Sequence, residues 1–167
     1  MWEILNQKFK KYPARMAVAQ KMIELGLRLD ENQKIYCGNL KISDASLANA
    51  ADVDRRVIKS TIKTINEDKK LQEIFQNITP AGTLLRNIAK NLGLGVIEIE
   101  VGEENEGILA SASALISSKN IGIRQAYASD TKLNDTPILT IITEDLVPGD
   151  LINEFLKISG VIRVSIY

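Results

Sequence analysis

The hydrophobic period of this chain changes at Leu94, and that change narrows the folds open to it. Before Leu94 the apolar residues recur every three to four positions, the spacing of one face of a helix. After it they alternate, as in VIEIEV over 96–101, where Ile97, Ile99 and Val101 fall on one side and Glu98 and Glu100 on the other. A helical part and a sheet part must therefore coexist, which makes the fold class α+β. A length of 167 residues accommodates one domain of ordinary size or two small ones.

In the helical part, Pro13 stands where a helix can begin, and Met16, Ala19, Met22, Ile23 and Leu27 form a stripe behind it. The polar pair Gly38-Asn39 between short β-prone runs predicts a hairpin over 34–42. Ser43 or Asp44 can cap a helix through 45–51, and Asp54 a second over 55–69, with Ile58, Ile62 and Ile65 on one face. Leu84, Leu85, Ile88, Ala89 and Leu92 make a further stripe that Gly93 and Gly95 close, predicting a connector helix over 79–93.

The remaining residues, 94–167, read as strand 96–101, helix 108–120, strand 121–129, strand 138–143, helix 149–159 and strand 161–167. This β-α-β-β-α-β order is the split β-α-β, or ferredoxin-like, pattern. Its helices would cover one face of a four-stranded antiparallel sheet. Glu98, Glu100, Arg124 and Arg163 would then stand on the face left bare, open to a second copy of the chain, so a homodimer is expected.

A formal net charge of zero conceals an asymmetry: residues 1–93 carry 16 Lys+Arg against 10 Asp+Glu, and residues 94–167 carry 5 against 11. The basic half suits a polyanion and the acidic half does not. The chain has no histidine, which removes the usual general base and the commonest zinc ligand. With no Walker-type glycine loop and no clustered metal ligands, the expectation is a protein that is not an enzyme, without catalytic residues, metal or cofactor. The single cysteine, Cys37, allows no internal disulfide. No apolar run approaches the roughly 20 residues of a membrane span, and the first residues lack a secretory signal, so a cytoplasmic protein is expected.

Residues 46–65, SLANAADVDRRVIKSTIKTI, have the layout of a helix-turn-helix. Ala48 allows the close crossing, Asp52 can take the turn's unusual dihedrals, and Val53 plugs the angle. On the outer face Arg55, Lys59 and Lys63 lie at i, i+4 and i+8, with Arg56 and Ser60 beside them. Such a set can contact duplex DNA at guanine edges and phosphates; the alternative is an ordinary solvated face. In the acidic half, Glu103, Glu104 and Glu106 lead through Gly107 into a helix N-terminus. That loop offers carboxylates to an ammonium group and free N–H groups to a carboxylate, or is simply a solvated acidic turn.

Taken together, IEIEV, EGILASASALI, NIGIRQ, ILTIIT and GVIRVSI resemble an ACT domain. With IYCGNLKISDASLANAADVDRRVIK and TPAGTLLRNIAKNLG, the whole chain resembles the archaeal family of regulators of amino acid metabolism that contain an ACT domain. The resemblance implies a DNA-binding module over 1–78, the connector over 79–93, and over 94–167 an ACT domain that dimerises and binds an amino acid. The ligand region it implies is Asn105, Glu106, Gly107 and Ile108, facing the start of a partner's second strand. ACT domains that bind serine carry an asparagine inside that strand. Here the position holds Gly122, Asn120 comes two residues earlier, and Gln125 offers a substitute polar contact. The function so implied is an amino-acid-responsive transcriptional regulator. The alternative is a regulatory subunit that docks on an amino acid biosynthetic enzyme without binding DNA.

Overall fold

The computed structural model describes residues 1–102, 106–130, 133 and 136–167, and the chain divides into two compact units, Met1–Gly82 and Thr83–Tyr167. The first unit runs α1 (Trp2–Phe9), α2 (Pro13–Glu24), β1 (Leu27–Leu29), β2 (Ile35–Cys37), β3 (Leu40–Ile42), α3 (Asp44–Ala50), α4 (Arg55–Asn66) and α5 (Lys69–Gln76). Its core gathers Leu5, Phe9, Val18, Met22, Leu29, Ile35, Leu47, Ile58, Ile65, Leu71 and Phe75, each no more than 1% exposed. Each contributes about 1.5–3 kcal/mol relative to an exposed position.

The hairpin of β2 and β3 forms as expected, with Gly38 at φ 54° in its turn, but it is part of a three-stranded sheet ordered β1-β2-β3. The helical stripe places Leu27 at the end of the preceding helix, whereas the structure puts it in β1. The helix stops at Glu24 because Gly26 takes φ 63°, the left-handed conformation that reverses the chain. A Cβ on Gly26 would stand 2.8 Å from Pro80 Cα, so the position also requires the absence of a side chain. Helix α4 likewise ends at Asn66, short of the 69 expected. Asp68 opens α5 by accepting the Lys70 and Leu71 N–H groups at 3.0 and 3.2 Å.

The second unit comprises β4 (Gly95–Val101), α6 (Ile108–Ser118), β5 (Ile123–Ala128), β6 (Ile138–Thr143), α7 (Leu151–Phe155) and β7 (Val161–Ile166). The strands are antiparallel in the order β5-β6-β4-β7, the ferredoxin-like topology. Ile108, Ala112 and Ile116 of α6 and Leu151 and Phe155 of α7 pack on Ile97, Ile99, Leu139 and Ile141. Helix α7 is only 5 residues long, within the 149–159 predicted.

The predicted connector helix does not form. Residues 83–88 carry no helix and only Ala89–Leu92 makes a 3-10 turn. This segment lies as a strap on the sheet face opposite the helices, where Leu85, Ala89 and Leu94 bury Val96 and Ile142. The supposed stripe is split, with Leu84, Ile88 and Leu92 exposed. The physical reason is a competing partner for the backbone: Gln125 Oε1 accepts the Leu85 N–H at 3.0 Å, and its Nε2 donates to the Thr83 carbonyl at 2.9 Å. One side chain thus gives the strap the hydrogen bonds that a helix would have supplied internally.

The expected bare face is therefore partly covered, and its charges are used within the chain. Arg86 grips Glu98 with both ends of its guanidinium, and the Glu98 side chain is only 13% exposed. That hydrogen-bonded pairing with Arg86 holds the Glu98 carboxyl below the ordinary glutamate range, against a smaller opposing effect of burial. Arg163 reaches Glu100 at 2.8 Å, and Arg124 reaches Glu144 at 3.6 Å.

Candidate nucleic-acid interface

Helices α3 and α4 form the helix-turn-helix that the spacing predicts. Ser43 caps α3 by accepting the Ser46 N–H at 3.0 Å, and Asp54 caps α4 by accepting the Arg56 N–H at 2.8 Å. Between them Asp52 sits at φ 52°, and the Val53 N–H returns to the Ala48 carbonyl at 3.0 Å. Ala48 is 3% exposed at the crossing, and Val53 packs on the core as the plug. These local choices fix the angle at which α4 leaves the turn.

Ile58, Thr61, Ile62 and Ile65 turn the inner face of α4 into the core. Thr61 is buried without penalty because its hydroxyl donates to the Val57 carbonyl at 2.8 Å. Arg55, Arg56, Lys59 and Lys63 are exposed on the outer side, as expected. Among the described residues Arg55, Arg56 and Lys59 have no side-chain partner, and Lys63 approaches Glu67 at 3.8 Å with both side chains largely in solvent. Ser60 departs from expectation. It is half-buried, and its hydroxyl donates to the Val57 carbonyl at 2.9 Å, so it is turned toward its own helix. The carboxylate of Asp54 stands beside the two arginines but is engaged by the cap.

The described candidate ligand residues fall at three separate places in the second unit. Gly107 starts α6 at φ 78°, and the buried Ile108 helps line a mainly apolar cleft of about 360 Å³ with Val101, Leu109, Ser129, Ile138 and Leu139. Asn105, like Glu103 and Glu104, lies outside the described residues, and Glu106 is exposed in the turn before α6. Asn120, at φ 58°, follows the other end of α6, about 16 Å along its axis. Gln125 is not a free polar contact, because both ends of its amide hold the strap.

Basic residues beyond α4 escaped the helical reading. Arg15 donates from Nη1 to Thr64 Oγ1 at 3.1 Å with its guanidinium 4.4 Å from the Tyr12 ring centre. Lys8 Nζ meets Asp68 Oδ2 at 2.6 Å, and that hydrogen bond from Lys8, with those from the α5 backbone, holds the Asp68 carboxyl below its ordinary value. In the sequence Lys8 and Arg15 belong to the run KFKKYPAR, part of the excess of Lys and Arg over residues 1–93.

Fold and surface together define a two-unit α+β protein with a helix-turn-helix in the first unit and a ferredoxin-like second unit. No protein-family model matches the chain, and no curated protein does. Among solved structures it is similar to a transcriptional regulatory protein of Pyrococcus furiosus, a member of the AsnC family, with 16% identity over 75% of this chain and 77% of that one and a TM-score of 0.27. It is also similar to a transcriptional regulator from Neisseria meningitidis in complex with L-Met, with 11% identity over 92% of this chain and 86% of that one and a TM-score of 0.26. Superposition at that level is weak, so the functional reading rests on the chain's own residues.

Proposed function

We propose that the protein is an amino-acid-responsive transcriptional regulator of the ACT-containing kind its sequence resembles. Its first unit binds duplex DNA through the outer face of α4. Its second unit acts as an ACT domain that takes an amino acid near Asn105, Glu106, Gly107 and Ile108 and joins two copies of the chain. The observation that carries the reading is the presentation of Arg55, Arg56 and Lys59, exposed and without partners among the described residues, from a capped helix whose entry angle Asp52 fixes. Side chains at the start of such a helix reach base edges in the major groove, and lysines farther along reach phosphate. In a dimer, two such helices must meet half-sites about one DNA turn apart or a multiple of it. An effector that favours one arrangement of the copies then changes operator affinity by linkage.

The test is selection of bound fragments from genomic DNA at about 0.15 M salt, near physiological ionic strength, with and without the twenty amino acids. The expected result is enrichment of a palindromic site that responds to amino acids. Arg55→Ala and Arg56→Ala should each weaken that site, by about 1–3 kcal/mol where a base contact is lost. No enrichment in either condition overturns the reading.

A further inference from the structure

We propose that the first unit holds a second polyanion-contacting surface, made by Lys10, Lys11, Lys69 and Lys70, which meets DNA phosphates flanking those under α4. The proposal rests on the reading of α4 as a DNA-contacting helix and adds to its footprint. In sequence these two lysine pairs are far apart. The fold brings their chain segments together through one carboxylate: Asp68 caps α5 with Oδ1 and binds Lys8 at 2.6 Å with Oδ2, so the end of α1, which Lys10 and Lys11 follow, is tied to the start of α5. The Arg15 to Thr64 hydrogen bond, with Tyr12 under the guanidinium, sets the turn between α1 and α2 beside the last turn of α4.

All four lysines are exposed and, among the described residues, without a side-chain partner. Of the acidic groups nearby, Asp68 is used twice and Glu67 faces Lys63, while Glu73 lies one turn along α5 from Lys69. Lys69 and Lys70 occupy the first turn of α5, the end of a helix that disfavours cations. The Asp68 carboxylate at the cap offsets that cost in part, and a phosphate facing the two lysines would offset it further. The twelve residues of α4 give about 18 Å of helix rise from Arg55 to Asn66, and Lys69 and Lys70 follow three and four residues beyond that end. A major groove is about 12 Å wide, so cations at the two ends of α4 can address the phosphates of both rims.

The experiment uses the full chain and a labelled mixed-sequence duplex of roughly 30 base pairs, titrated by fluorescence anisotropy at several salt concentrations. Each phosphate contact steepens the fall of log K with log salt by about 0.9. Lys10→Gln, Lys11→Gln, Lys69→Gln and Lys70→Gln together should flatten that slope by about 3–4 and leave the circular dichroism melt unchanged. A comparison variant with Lys90, Lys119 and Lys157 of the second unit changed to Gln controls for net charge and should leave the slope within about one unit of the original. An unchanged slope in the quadruple variant, with a flattened one in the Arg55→Ala, Arg56→Ala double variant, overturns the proposal and leaves α4 in place. Equal flattening per charge in the comparison variant also overturns it. Failure of the unaltered chain to bind any duplex removes both the proposal and the reading beneath it.

Discussion

Changing Gln125 to alanine tests whether a single amide decides the path of the strap. The substitution removes the acceptor of the Leu85 N–H at 3.0 Å and the donor to the Thr83 carbonyl at 2.9 Å. Each hydrogen bond has a net worth of about 1 kcal/mol, so the strap should lose about 2 kcal/mol, or roughly 30-fold in its opening equilibrium. The apolar contacts of Leu85 and Ala89 with Val96 and Ile142 survive, as does the Arg86–Glu98 pair, so the strap should open more often without detaching. Amide hydrogen exchange followed by NMR reads this directly. Leu85 exchange should accelerate by roughly 30-fold, while the Ile97 and Ile141 amides in the sheet keep their rates. Gln125→Glu retains the acceptor and loses the donor, so it should show about half the free-energy loss. If Leu85 exchange in Gln125→Ala stays within about threefold of the original, apolar contact alone holds the strap and the reasoning fails.

Two further substitutions probe the turn and the Arg86–Glu98 pair. Asp52→Gly should stabilise the first unit, because glycine removes a left-handed strain of about 1–2 kcal/mol and adds an entropic cost of about 0.5–1 kcal/mol. A thermal melt should show that unit rising by roughly 3–6 °C, and a fall would refute the strain at φ 52°. Glu98 has its folded pKa depressed below the ordinary 4.5 by Arg86, so its contribution is present above that value and lost as pH falls through the folded pKa. Glu98→Gln should accordingly lower stability at pH near 7 by up to about 1 kcal/mol, discounted for the exposed Arg86. The gap from the original chain should close in acid below the folded pKa; a gap independent of pH in paired melts would show that the carboxylate charge plays no part.

The candidate interface is legible in the sequence because its parts are local. A cap needs a carboxylate or hydroxyl two or three residues before the N–H it accepts, and Ser43 and Asp54 stand at that distance. The left-handed turn needs a residue that tolerates it, and Asp52 follows Ala48 at the right interval. The inward turn of Ser60 is not legible, because a helical wheel gives direction but not the hydroxyl's choice of the Val57 carbonyl. The candidate ligand residues are harder to place, since Asn105 lies outside the described residues and Asn120 follows the far end of α6 from Gly107.

The sequence alone determined the change of period, the capped pair α3 and α4, and the β-α-β-β-α-β order, because each is fixed by neighbours within about one to two turns or one strand. Tertiary structure decided the strap and strand β1. The stripe from Leu84 to Leu92 fits a helix face, and its period cannot reveal that Gln125, 40 residues from Leu85, will take the backbone bonds instead. Likewise Gly26 must end α2 where Pro80 crosses. In each case the deciding partner is distant in sequence, and a backbone group takes whichever partner the folded chain brings to it.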